Sequence, residues 1–280
     1  MRLLLKALCI RMIILFGIYW GLCATTYADT RLVKDIFPGA FNSYPMHLTD
    51  VNGTLFFTAE SMLGTERELW KSDGTEAGTV MVKDIHSTGT SAPLYLTNVN
   101  GTLYLSAQGD EYGRELWKSN GSEVGTVMVK NIYPGPSHIG SDPEHLTPVG
   151  DTLFFTANDG STGRELWRSD GTEDGTVIVK NISSPADSTP EYLTNVNGRL
   201  YFSADNSING KELWKIDGTP SGTVMVKDIN PSGSSNPRDL LTVNGRLYFI
   251  ADDGTHGSEL WISEENFPWI LFYPAFIKKK

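Results

Sequence analysis

The phrase ELWKSDGTEAGTVMVKDI, from Glu68 to Ile85, is written again almost unchanged from Glu115, Glu165 and Glu212, and it recurs as ELWIS at Glu259. The glutamates lie 47, 50, 47 and 47 residues apart. A regular period of that size calls for an array of like units stacked on their neighbours, because one such unit is too small to bury its own apolar surface.

Each period holds four short strand-like pieces. In the second copy they are LYLTNV (94–99), TLYLSA (102–107), ELWKS (115–119) and TVMVKNI (126–132), rich in β-branched, aromatic and leucine side chains. Asn-Gly separates the first two at Asn52-Gly53, Asn100-Gly101, Asn197-Gly198 and Asn244-Gly245, with Gly150-Asp151 in the third copy. Asn-Gly tolerates the left-handed backbone of a two-residue hairpin, so these strands are expected to be antiparallel neighbours. The pattern SDGTxxGT supplies a second turn between the third and fourth pieces. Four antiparallel strands per period, with no helical pattern, predict an all-β fold: a five-bladed β-propeller. Apolar runs such as LFF (55–57) fit blades covered on both faces. Trp70, Trp117, Trp167, Trp214 and Trp261 are then expected between blades. A β-helix is the rival, but its coils are usually shorter than this period.

TRLVKDI (Thr30–Ile36) repeats TVMVKDI (Thr79–Ile85) at five positions and stands ahead of the first blade. It is a fourth strand without the other three, whereas the last copy has three strands without the fourth. The ring is therefore expected to close by the N-terminal strand completing the last blade, which removes exposed sheet edges. The domain plan is residues 1–28 as a leader, 29–263 as the propeller, and 264–280 as a divergent apolar tail.

Residues 1–28 have the layout of a secretory signal peptide: Arg2, Lys6 and Arg11, an apolar run from Met12 to Leu22, and small residues ending at Ala28. Cleavage there predicts a secreted or periplasmic protein without a transmembrane span. The run falls short of the roughly 20 residues that a spanning helix needs. Both cysteines, Cys9 and Cys23, would leave with the leader. The formal charge of -10 argues against a nucleic-acid partner.

Glu68-Leu69-Trp70 with Asp73-Gly74-Thr75, Glu165-Leu166-Trp167 with Asp170-Gly171-Thr172, and Glu212-Leu213-Trp214 with Asp217-Gly218-Thr219 resemble the repeat of the bacterial secreted ELWxxDGT-repeat proteins. The second copy departs at Asn120-Gly121-Ser122, and the fifth keeps only Glu259-Leu260-Trp261. The resemblance spans nearly all of residues 29–263 and implies an exported, propeller-like repeat protein. It implies no activity and no catalytic residues. The five-bladed animal lectins of the tachylectin type are similar only in period and blade count.

If TVMVKDI is outermost, the Asn-Gly and Asp-Gly turns share one rim of the ring. The opposite rim carries the inter-blade links and the loops that vary most between copies: 60–67, 108–114, 158–164, 205–211 and 252–258. Binding is expected there. Its acidic side chains are Asp110, Glu111, Asp159, Asp205, Asp252 and Asp253, which suit either sugar hydroxyls and a calcium ion or ordinary solvated turns. No EF-hand-like run is present, so no cofactor is firmly implied. A second set opens the innermost strands: His47, Tyr95, His145 and Tyr192, with Asp239 in the fifth copy. These suit stacking on a ligand or filling of the central funnel. Paired carboxylates of a glycosidase should be singular departures from the repeat, and those here recur or lie in loops. The expected function is a non-enzymatic, multivalent binding or adhesion module for carbohydrate or extracellular protein. A structural or protein-interaction scaffold is the alternative, and a glycosidase comes third.

Overall fold

The computed structural model describes residues 30–264 except 62–65, 136–138, 184–185, 217–218 and 220. The leader and the tail from 265 onward, both assigned above, lie outside the described residues. The chain divides into two units, Met1–Leu32 and Val33–Lys280, and the strands of the described residues lie in the second.

Among the described residues, nineteen strands build five antiparallel sheets in chain order. The first sheet is β1 (Met46–Val51), β2 (Thr54–Glu60), β3 (Arg67–Ser72) and β4 (Val80–Lys83). The second is β5 (Leu94–Val99), β6 (Thr102–Gln108), β7 (Arg114–Ser119) and β8 (Val127–Lys130). The third is β9 (Glu144–Val149), β10 (Thr152–Asn158), β11 (Arg164–Ser169) and β12 (Val177–Lys180). The fourth is β13 (Glu191–Val196), β14 (Arg199–Asp205), β15 (Lys211–Ile216) and β16 (Val224–Lys227). The fifth has three strands, β17 (Arg238–Val243), β18 (Arg246–Asp252) and β19 (Ser258–Ser263).

The turns follow from residue chemistry. Asn52 and Gly53 have φ of 52° and 83°, both left-handed as a tight hairpin demands, and the Asp50 carboxylate accepts the Gly53 N–H at 2.8 Å. Between β3 and β4, Asp73 Oδ1 accepts the N–H and hydroxyl of Thr75 at 2.9 and 2.7 Å, and Thr75 Oγ1 accepts the Gly78 N–H. Asn120 and Ser122 reproduce the same bonds at 3.0 and 2.7 Å, so the departure in the second copy leaves the turn unchanged.

The innermost strands β1, β5, β9, β13 and β17 are adjacent in that order, and no comparable contact joins β17 back to β1. Cores form between successive sheets. Trp117, Leu103, Leu105 and Ala107 of the second sheet pack with Val51, Phe56, Leu69, Val82 and Ile85 of the first sheet and its link. The pattern recurs at the next two seams with Trp167 and Trp214. At the fourth, Trp261 is only partly buried. This is why the central strands are buried on both faces.

Polar bonds staple the same seams. The threonine of each inner strand donates to the next: Thr49 to Leu96 O, Thr97 to Leu146 O, Thr147 to Leu193 O and Thr194 to Leu240 O, at 3.2–3.4 Å. The lysine ending each fourth strand donates to the following sheet, as Lys83 does to Thr126 O, Lys130 to Thr176 O and Lys180 to Thr223 O.

The N-terminal segment differs from the expectation of a paired strand. Among the described residues, 33–36 form no ladder with β19. Residues 33–36 instead lie on the free face of the first sheet. Lys34 Nζ donates to Thr79 O at 2.8 Å, as its three counterparts do, and Ile36 packs on Phe57, Ala59 and Trp70. Residues 33–36 thus touch the first sheet through a lysine and an isoleucine.

Candidate functional site

The glutamate of ELW, so prominent in the sequence, is a buried structural hub. Glu68 accepts the backbone N–H of Ile85 at 3.1 Å, the N–H of Ser91 at 2.9 Å and the Ser91 hydroxyl at 2.5 Å. Glu115 does the same with Ile132 and Ser141, Glu165 with Ile182 and Ser188, and Glu212 with Ile229 and Ser235. Each carboxylate thus ties the end of its own sheet's fourth strand to the link entering the next. Burial raises the pKa of Glu68, Glu115 and Glu165, and the serine and amide bonds oppose that shift.

The rim bearing the links and the β2–β3-type loops holds the residues singled out from the sequence. Asp110 binds the N–H and hydroxyl of Ser87 at 2.7 and 3.0 Å, joining its loop to the preceding link, with exposed Glu111 beside it in the chain. Asp159 accepts the N–H groups of Ser161 and Thr162 at 2.8 and 2.7 Å. Burial works against its ionisation, but these bonds outweigh it and hold the carboxyl below its ordinary range. Asp205 accepts from Ser207 N and Asp252 from Gly254 N. Asp253 accepts from Thr255 N and His256 N and lies 2.8 Å from His256 Nδ1. The hydrogen bonds from His256 hold the Asp253 carboxyl far below its ordinary range and push the imidazole up. These acidic side chains organise turns. Among the described residues, no group of three or more His, Cys, Asp or Glu could hold a metal ion.

The second set occupies one repeated backbone position. His47, Tyr95, His145, Tyr192 and Asp239 have φ of 54–56° at a bulge in each inner strand, where the ladder skips register. A bulge re-aims its side chain, and His47, Tyr95, Tyr192 and Asp239 are exposed. Tyr95 and His145 come together across a seam, ring centroids 6.4 Å apart and planes tilted by 44°. Burial and the neighbouring Glu144 push the Tyr95 hydroxyl up.

Sequence reasoning passed over the cations at the first position of each third strand, Arg67, Arg114, Arg164 and Lys211. Arg67 Nη1 donates to Tyr44 O at 2.7 Å and Arg164 Nη1 to Asp142 O at 2.9 Å, bracing the chain just ahead of the bulge. Arg67 also pairs with Glu60, Arg164 with Glu144 and Lys211 with Glu191. The signal was the basic residue preceding ELW in four copies of five. The rim thus carries ring side chains close to cations, three of them ion-paired, an arrangement able to stack on a planar or ring-shaped surface and to exchange hydrogen bonds at its edge.

No family model and no curated protein sequence matches the chain. Among solved structures it is similar to prolyl endopeptidases studied for inter-domain dynamics, with 15% identity and a TM-score of 0.52 over 78% of this chain and 32% of that one. Puromycin hydrolase, as an S511A mutant, gives 14% identity and a TM-score of 0.44 over 75% and 33%. A thermostable family-43 glycoside hydrolase gives 12% and 0.32 over 79% and 88%. The chain spans about a third of the peptidase and puromycin hydrolase chains. The likeness to the prolyl endopeptidases shows a propeller-like all-β fold and nothing of activity.

Proposed function

We propose that this chain is a secreted, non-enzymatic, multivalent binding or adhesion module of the ELWxxDGT-repeat kind, and that its ligand is carbohydrate. The observation that carries this reading is the bulge at His47, Tyr95, His145, Tyr192 and Asp239. One backbone position is repeated in every sheet, is exposed in four of the five, and is filled by ring side chains in four sheets, with a braced cation and a variable loop on the same rim. Several weak equivalent sites on one rigid scaffold gain avidity from their effective concentration. The reading includes a five-bladed propeller closed by residues 30–36, which would arrange those positions in a ring around one axis.

A glycan array with the chain from Asp29 to Lys280, run with calcium and again with a chelator, tests the proposal. Binding to a defined sugar class that weakens in Tyr95→Ala and Tyr192→Ala supports it, and loss with chelator adds calcium. A blank array in both conditions refutes it in favour of a protein-interaction scaffold. Release of product from a polysaccharide panel would make the chain a glycosidase.

A further inference from the structure

The last sheet presents an edge and a face that the other four keep covered. Leu69, Leu116, Leu166 and Leu213 are 0–1% exposed, whereas their counterpart Leu260 is 72% exposed. Glu259 is exposed where Glu68, Glu115, Glu165 and Glu212 are buried. Two staples toward a following sheet have also changed character. Leu241 replaces the threonine of the inner strand and is 60% exposed. Ile262 replaces the basic residue that, as Lys71 and Lys118, donates to Gly121 O and Gly171 O.

The first sheet offers the complementary half. Residues 33–36 already hold the place of a preceding sheet's fourth strand, through Lys34 and Ile36. Farther on, Ser43 stands where Ser91, Ser141, Ser188 and Ser235 stand. Its carbonyl accepts the Glu60 N–H at 2.8 Å as Ser91 O accepts Gln108 N at 3.0 Å, and the following Tyr44 has the left-handed backbone of Ala92. The four other serines are buried on a glutamate; Ser43 is only half-buried.

We infer that the open edge of the last sheet is a docking surface for this chain's own residues 33–43, with the Glu259 carboxylate accepting the Ile36 N–H, the Ser43 N–H and the Ser43 hydroxyl. The inference rests on the closed-ring reading and specifies what holds the closure. Val33 and Ile36 would cover Leu260 as Val82 and Ile85 cover Leu69. Leu241 would meet Leu48, itself 65% exposed, at the position where the internal seams place a threonine hydroxyl on the next leucine carbonyl. The closing seam thus exchanges two polar staples for apolar contact and keeps the glutamate, which costs little when buried only if all its acceptor positions are used.

The test uses the full chain. Ser43→Ala lowers Tm by about 2–4 °C and Glu259→Ala by at least as much; the double variant falls no further than Glu259→Ala alone, since that variant already removes the Ser43 hydroxyl bond; and light scattering reports a monomer. An unchanged Tm in either single variant, or additive losses, overturns the glutamate seat. A cysteine pair, Lys34→Cys with Leu260→Cys, separates that outcome from the fate of the ring. It copies the facing positions Leu213 and Lys227 and is built with Cys9 and Cys23 replaced by serine. A disulfide within one chain alongside unchanged melting retires the seat and keeps the ring. A disulfide only between copies, or none while a Leu213→Cys, Lys227→Cys control pair forms, retires both.

Discussion

Replacing Glu165 by alanine exposes what the ELW glutamate does. Its carboxylate is fully buried and accepts from Ile182 N, Ser188 N and the Ser188 hydroxyl. Alanine leaves these donors facing a void, and a buried donor without an acceptor costs about 1–3 kcal/mol. Water entering the space and rotation of the serine hydroxyl recover part of that, so a net loss of about 3–6 kcal/mol is expected. Such a loss is a large share of the total stability of a domain. Urea denaturation followed by tryptophan fluorescence measures it. Glu165→Gln adds a second, signed observation. Burial holds the Glu165 carboxyl above its ordinary 4.5, so the folded chain takes up that proton at higher pH than the unfolded chain. The group's contribution is therefore complete below pH 4.5 and is lost as pH rises through the raised folded value. The advantage of the wild type over Glu165→Gln should be largest near pH 4.5 and shrink toward neutrality. An alanine variant within about 1 kcal/mol of wild type, against the cost expected for stranded donors, or an advantage that grows with pH, would refute the assignment of this glutamate as a desolvated link between sheets.

Leu213→Ala should cost about 2–5 kcal/mol from lost burial and the cavity left behind, and in a closed ring Leu260→Ala should cost about as much; chemical denaturation of the two variants compares them directly. Deleting residues 29–36 should lower Tm by several degrees, since it removes the Lys34 staple and the Ile36 contact, and calorimetry reads this. Thr172→Val should let the Asp170 carboxyl, held low chiefly by the Thr172 hydroxyl, rise toward 3.8, as an NMR titration would follow. The contribution of that aspartate is present above pH 3.8 and is lost as pH falls through its depressed folded value, the opposite direction to Glu165. Tyr95→Ala should cost about 1 kcal/mol, because the ring is partly buried and loses its contact with His145, while weakening any glycan binding.

Much of this molecule is legible in one dimension because its contacts are local or repeated. Asn52-Gly53 dictates a hairpin wherever it stands, and Asp73 with Thr75 closes a turn from within its own few residues. The spacing of the tryptophans places one at each seam, since every sheet meets its neighbour with the same face. The antiparallel order within each sheet and the all-β class follow from that local chemistry, whereas the strand expected at Thr30–Ile36 is not one in the structure. What residues contribute across a seam was not legible. The glutamate of ELW reads only as a recurring carboxylate until folding brings Ile182 and Ser188 to it from 17 and 23 residues away. The loop aspartates suit ligands and turns equally in the sequence, and only the structure shows the turn bonds that Asp159, Asp205, Asp252 and Asp253 accept. The left-handed bulge that turns out Tyr95 and His145 has no residue signature, since it accepts tyrosine, histidine and aspartate alike. Local sequence chooses the strand and the turn; the packing of sheet on sheet chooses which polar groups lose their water, and so which side chains become structure and which remain free to bind.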